Sequence, residues 1–354
     1  MRKNLKHALL PIALVLPLLL LVVIPAALFA HEEGAEHSHS SSEAERQVVN
    51  PRSDYWRHVR EGVEGYTAVR GQEVNVFIQA AGQNWRQLRN GPVAAYGAGL
   101  LGIVLVALGG FFLYRGKVEL KHPRTGESVT RWTLGERVLH WVTATLFLLL
   151  MITGLSLLYG RVALIPLIGH EAFAAYAEWA KAVHNYLGPG FILGLLLMLG
   201  LWARANIPNR IDWEWFKAAG GMVGDAHPSA ERMNAGEKAW FWLLAGGGIL
   251  VCASGLLLDF PNFGQERWLL QGSHLVHVVF ALVLIAGALG HIYIGTIGTE
   301  GALEGMITGR VDKSWAIQHH DLWYEEIARR GAETNAAASP DQSYRDEFAV
   351  KRGS

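Results

Sequence analysis

Six apolar runs interrupt an otherwise polar chain, at residues 9–29, 93–114, 138–159, 186–205, 239–260 and 274–297. Each approaches the ~20 residues that a helix needs to cross a bilayer. The pattern predicts an all-α integral membrane protein. The last four runs form a four-helix transmembrane bundle over residues 134–298, and the run at 93–114 adds one extra N-terminal transmembrane helix. Residues 1–30 are a signal peptide or a signal-anchor helix. MRKNLKH supplies the short basic start and AALFA the cleavage-like end, although Leu28 occupies the position before His31 where a small residue is expected. Both readings put His31 onward outside the cytoplasm, so residues 31–92 form a periplasmic segment.

The polar stretches set the orientation, because cytoplasmic connections collect Lys and Arg. Arg115, Lys117, Lys121, Arg124 and Arg131 populate the connection at 115–133, with Arg137 just beyond it. Arg204, Arg210, Lys217, Arg232 and Lys238 follow Trp202. Both connections are therefore cytoplasmic. The connections at 160–183 and 261–273 carry only Arg161 and Lys181, and Arg267, and face outward. Arg86 and Arg89 run against the rule, but a translocated segment as long as 31–92 is only weakly governed by it. The tail at 299–354 is then cytoplasmic, with a disordered charged end. Within the periplasmic segment, HEEGAEHSHSSSEAER reads as a solvated linker, the alternative being weak metal binding by His31, His37 and His39. GYTAVRGQEVNVFIQAAGQNWRQLRNGP shows β-like alternation with turn glycines and predicts a small ordered cap.

Composition narrows the chemistry. The chain is 51% hydrophobic and 18% charged with zero formal net charge, so membrane lipid is a partner and nucleic acid is not. Its 13 tryptophans suit membrane–water interfaces. A single cysteine, Cys252, excludes a disulfide framework, a thiolate metal centre and covalent haem attachment. Histidines remain as the main chemical resource.

Four histidines fall in or beside the last four runs: His140, His184, His277 and His291. Ionisable groups inside a membrane are costly and usually face the bundle interior for a functional reason. His291 follows His277 by 14 residues, about 21 Å along a helix and on nearly the same face. One helix therefore offers imidazoles at two depths, which makes two sites and not one. From the orientation, His140 meets His291 near the cytoplasmic side and His184 meets His277 near the outer side. Two bis-histidine pairs stacked across a four-helix bundle are the arrangement expected for two haems b, as the axial ligands of each iron. With no open iron position, such sites suit electron transfer. Gly154, on the helix of His140, would face the outer site, either for a porphyrin or for close helix packing. His274 is an interfacial neighbour of the outer site. His319 and His320 suit a partner contact or a helix surface, and Cys252 a buried small apolar role.

RVLHW followed by LLMITG, KAVHNYLG followed by ANIPNR, ERMNAGEKAWFW, and the pair His277 and His291 followed by GALEGMITGRVDKSWAIQHHDLWYEEI together resemble the gamma subunit of respiratory formate dehydrogenase. That subunit is a dihaem cytochrome b. The resemblance covers about residues 131–327 and is specific in its combination of spacing and tail. The shortest family members begin near Arg131; longer ones with an N-terminal extension look similar, including GQNWRQLRNGP. The resemblance implies His184 and His277 as ligands of the outer haem b, and His140 and His291 as ligands of the inner one. It also implies a quinone site beside the inner haem, lined by Asn234. An amide at a helix start can hydrogen-bond a quinone carbonyl. Asn234 with Glu237 also approximates a capping box, and the two roles can coexist.

The function implied is that of a membrane subunit that does not itself oxidise formate. Electrons from a molybdenum or tungsten catalytic alpha subunit would arrive through an iron–sulfur beta subunit, pass the two haems and reduce quinone in the bacterial inner membrane. The extension is a candidate docking surface for the iron–sulfur subunit. The alternatives are the cytochrome b anchor of a nickel–iron hydrogenase or thiosulfate reductase, and a transporter with a histidine proton relay.

Overall fold

The computed structural model describes residues 53–61, 80–223 and 227–338. The helix expected over 1–30, and His31, His37 and His39, lie outside the described residues. Five helices within them are long and apolar enough to cross a membrane. Helix α1 (Ser53–Glu61) comes first. Helix α2 (Ala80–Leu88) passes through a π-turn at Arg89–Val93 into α3 (Ala94–Arg115), making one continuous rod. Pro92 lies inside that turn. It has no N–H to bond the preceding turn, so the backbone widens there. The helix thus starts well before the apolar run, and AAGQNWRQL is helical where alternation predicted a β-like cap. Its Ala, Gln, Arg and Leu are strong helix formers, and a helix already nucleated by the span extends cheaply.

Strand β1 (Ser128–Thr130) precedes α4 (Leu134–Ala163) and α5 (Ile165–Trp202), the latter broken at Gly169, whose φ is 80°. Helix α6 (Arg210–Lys217) is short and leads to α7 (Ala235–Asp259). Helix α8 (Arg267–Tyr293) continues as a π-turn over Ile294–Gly298. Helix α9 (Ala302–Thr308), strand β2 (Arg310–Asp312), α10 (Lys313–His319) and α11 (Asp321–Ala338) complete the described residues. The chain divides into two compact units.

The first unit contains α1–α3 and most of α4, α5, α7 and α8. Helices in lipid gain little from expelling water and associate by close packing at small residues. Thr143 of α4 fills the space left by Gly194 of α5, and Leu146 lies over Gly190. Helix α7 meets α5 at Gly248 against Leu195, and meets α8 at Gly247 against Leu284. The extra helix α3 is fastened the same way, since a Cβ at Gly97 would collide with Leu282 of α8. The Tyr159 hydroxyl of α4 donates to the Ala94 carbonyl at 2.9 Å. Ala94, Ala98, Leu101, Tyr159, Leu282 and Ile285 form the resulting core.

In the second unit β1 and β2 pair antiparallel, with Val129 opposite Val311. The carbonyl of Gly309 accepts from both Arg131 and Trp132 N–H, and the φ of 83° at Gly309 lets α9 turn into β2. Val311, Trp315, Ala316 and Trp323 form the core. The Arg131 guanidinium is buried against three indoles, with Trp315 at 4.8 Å from its centre, and pairs with Glu237 at 2.9 Å. Burial pushes its pKa down, and Glu237 opposes the shift. His319 and His320 do not form a helix surface. His320 is 1% exposed and its Nδ1–H donates to the Glu231 carbonyl at 2.7 Å. The rings of Trp315 and Trp323 pack on it from its own neighbourhood, while its hydrogen-bond partner Glu231 is distant in sequence, which the local pattern HHDLWYEE does not reveal.

Candidate functional site

Helix α8 carries His277 and His291 on faces that meet two different helices. The His291 ring lies 6.2 Å, centroid to centroid, from that of His140 on α4. The His277 ring lies 6.1 Å from that of His184 on α5. Two metal–imidazole bonds of about 2 Å on opposite sides of one ion, plus a ring radius at each end, put centroids about 6 Å apart. Both pairs have that separation. The pairing is the one depth and orientation predict from the sequence. His184 is not near the start of its helix, however. The first half of α5, where His170, Glu171, Glu178 and Lys181 interrupt the apolar residues, extends the helix beyond the run that marks it in sequence.

The His184–His277 pair is held at Nδ1 on both rings. The Thr153 hydroxyl donates to the Leu149 carbonyl at 2.8 Å, so it accepts from the His184 Nδ1–H at 2.9 Å. His277 Nδ1–H donates to the Val251 carbonyl at 3.0 Å, with Ser254 Oγ at 3.3 Å. Protons fixed at Nδ1 leave Nε2 of each ring with its lone pair, the nitrogen a metal needs. The residue after each hydroxyl is glycine. A Cβ at Gly154 would sit 3.2 Å from His184 Cε1, and a Cβ at Gly255 the same 3.2 Å from His277 Cε1. Gly154 faces this pair as the sequence predicts, and what it accommodates is the His184 ring.

At the other pair, His140 Nδ1 is buried without a hydrogen-bond partner among the described residues. Such a nitrogen is costly unless something ligates or bonds it. No cluster of three or more His, Cys, Asp or Glu suited to a bare metal ion occurs among the described residues. Imidazoles that meet in pairs and not in larger clusters fit an iron cofactor that would bring its own remaining ligands.

Residues 131–309 match the prokaryotic cytochrome b561 family, half of the chain. The chain belongs to the prokaryotic cytochrome b561 family. Membership of this family makes it a haem b protein, and with its five apolar helices a multi-pass membrane protein. The family match begins at Arg131, so α1–α3 are additional to it.

Within the family, the chain is similar to the nitrate-inducible formate dehydrogenase cytochrome b556(Fdn) subunit of Escherichia coli strain K12. The two are 26% identical over 209 residues, 58% of this chain and 94% of the relative. It is 27% identical to the formate dehydrogenase cytochrome b556(fdo) subunit of the same strain, over 57% of this chain and 95% of that one. It is also 27% identical to the formate dehydrogenase cytochrome b556 subunit of Haemophilus influenzae, over 59% of this chain and 87% of the relative.

The remaining sequence candidates fall as follows. Asn234 caps α7: its Oδ1 accepts from Glu237 N–H at 2.9 Å while its own N–H donates to Glu237 Oε2 at 2.9 Å. That capping box leaves the Asn234 Nδ2 out of it. His274 stands beside Trp85 and not opposite another imidazole. Cys252 is a free, half-buried thiol. Thr153, Ser254 and Gly255 are site residues that sequence reasoning missed. The available signal was a hydroxyl–glycine dipeptide, TG and SG, recurring inside two apolar runs.

Proposed function

We propose that this chain is the dihaem cytochrome b subunit of a membrane-bound formate dehydrogenase, taking electrons from an iron–sulfur subunit and delivering them to quinone. The observation that carries the reading is the pair of imidazole pairs on α4, α5 and α8, in a chain whose relatives are formate dehydrogenase cytochrome b556 subunits. Haem b, when bound, supplies one-electron chemistry between ferric and ferrous iron.

The chain's own residues do the rest. His184 and His277 would hold one haem iron through Nε2, oriented by Thr153, Val251 and Ser254. His140 and His291 would hold the other. A haem held between two imidazoles would leave no position for oxygen, which suits electron transfer. Helix α8 sets the separation, because 14 residues of one helix put the ligand Cα atoms about 21 Å apart. The apolar lining of the bundle excludes water and keeps the imidazoles neutral ligands. Asn234 offers its free Nδ2–H₂ to a quinone carbonyl while Oδ1 caps the helix. By the positive-inside rule the His184–His277 pair faces the electron-donating partner outside, and the tail is cytoplasmic in the bacterial inner membrane.

The test is to co-express the chain with molybdenum- or tungsten-containing formate dehydrogenase catalytic and iron–sulfur subunits and add formate to the membranes. The expected result is reduction of both haems, seen in the Soret band, and re-oxidation by added quinone. Haems reduced by dithionite but untouched by formate would overturn the formate assignment. A purified chain with no Soret band would favour a histidine proton relay.

A further inference from the structure

Three buried nitrogens, two of them able only to donate, gather around the turn of α8 before His277. Trp85 Nε1, Arg89 Nε and His274 Nδ1 are shut off from solvent and have no hydrogen-bond partner among the described residues. The Trp85 indole stands edge-on to the His274 imidazole with ring centroids 5.4 Å apart. Arg89 opens the π-turn, which packs against α8, the helix of His274. Arg89 Nη1 is turned back to Asn90 Oδ1 at 2.9 Å, which leaves Nε as the unused donor.

An unsatisfied buried donor costs about 1–3 kcal/mol, and native proteins carry few of them. Three in one place call for a shared acceptor. Indole and guanidinium can only donate, so the complementary group is an oxyanion. Helix α2, the π-turn, α3 and α8 contain no Asp or Glu, and Glu61 of α1, the helix packed on α2, is exposed. The π-turn that Pro92 imposes begins at Arg89, and such local widenings are often found at functional sites. His274 lies one turn from His277 on α8, so a group held beside His277 can present an acceptor at this point.

We propose that Trp85, Arg89 and His274 form a carboxylate site that receives a propionate of the haem held by His184 and His277. This rests on the reading of that pair as haem ligands. Trp85 and Arg89 lie outside the residues that match the family, so the N-terminal extension contributes directly to a cofactor site in the bundle. The phosphate of a lipid headgroup has the same donor requirement and is the competing source.

The experiment is a potentiometric titration of the purified full-length chain, with Arg89→Gln, Arg89→Lys and Trp85→Phe variants. Removing the cation leaves the propionate charge uncompensated and disfavours reduction. Arg89→Gln should therefore lower the potential of one haem only, by about tenfold in its reduced-to-oxidised ratio, which is about 59 mV for one electron. Arg89→Lys should recover part of the shift. Trp85→Phe, which keeps the ring but loses the donor, should move the propionate modes in resonance Raman. In a His184→Ala background the remaining haem should not respond to Arg89→Gln.

Two unchanged potentials together with loss of co-purifying phospholipid phosphate would overturn the propionate in favour of a lipid. A shift that persists in the His184→Ala background would overturn the assignment to that haem. Retention of both haems by His184→Ala alone would instead sink the ligand reading, whatever Arg89 does.

Discussion

Replacing Thr153 by Val removes one hydroxyl and keeps the branched shape. Thr153 is 2% exposed, so no water replaces the lost partner of His184 Nδ1. A hydrogen bond of this kind contributes about 1 kcal/mol net, rising to about 3 kcal/mol if the donor is left with nothing. The Leu150 carbonyl, which accepts from the same Thr153 hydroxyl at 3.2 Å, is a nearby substitute acceptor and keeps the loss near the lower figure. Removing a partner that orients a metal-bound histidine typically weakens the metal site by about 10–100-fold, and the lower end applies here for the same reason. Ser254→Ala should cost less. Ser254 Oγ is the longer of the two contacts to His277 Nδ1, at 3.3 Å against 3.0 Å for the Val251 carbonyl, and the carbonyl remains. The assay is the rate of haem transfer from the purified chain to excess apomyoglobin. Thr153→Val should release one of the haems about tenfold faster, and Ser254→Ala should release it only slightly faster. Unchanged release from Thr153→Val, or a larger effect from Ser254→Ala, would refute the idea that these hydroxyls hold the ligand rings.

Gly255→Val should push the His277 ring out of position, because even a Cβ would stand 3.2 Å from it; the purified variant should lose about half of its haem absorbance. Arg131→Met should be tolerated better than Glu237→Gln, since the first leaves an exposed-edge carboxylate and the second strands a buried guanidinium, which costs about 3–5 kcal/mol; thermal unfolding in detergent reads the difference. His319 is held at about 4 against an ordinary 6.5, by burial first and by His227 and Arg131 next. His320 is pushed down as well, again chiefly by burial. The unfolded imidazoles take up protons near 6.5 and the folded ones do not, so this stability is complete above about pH 6.5 and is lost as pH falls toward 4. For His319 alone the loss is about 3 kcal/mol, and proteolysis of α10 and α11 in acid should slow when His319 is replaced by Gln.

The spans and the pairing of histidines were legible in the sequence because both depend on one-dimensional quantities. An apolar run of bilayer length is a helix, and a 14-residue interval on a helix is a depth and a face. What was not legible depended on contacts between distant residues. The hydroxyl at Thr153 is informative only once α5 brings His184 beside it, and the glycine at 255 only once α8 brings His277. Helix α5 begins well before its apolar run because His170, Glu171, Glu178 and Lys181 interrupt the hydropathy of its first half without breaking the helix. The AAGQNWRQL stretch misled by its alternation, where helix propensity and continuity with α3 decided the outcome. His320 looked like a surface residue because what closes over it, with Trp315 and Trp323 on either side, is the distant Glu231 carbonyl, a contact that no local pattern shows.

Whether the four histidines form two separate iron sites is decided by the haem content and reduced-minus-oxidised spectrum of the single variants His140→Ala, His184→Ala, His277→Ala and His291→Ala. Two haems are expected in the unaltered chain and one in each variant, with His184→Ala and His277→Ala losing the same spectral component and His140→Ala and His291→Ala losing the other. A loss that follows any other pairing, or a variant that keeps both haems, would contradict the two-site reading.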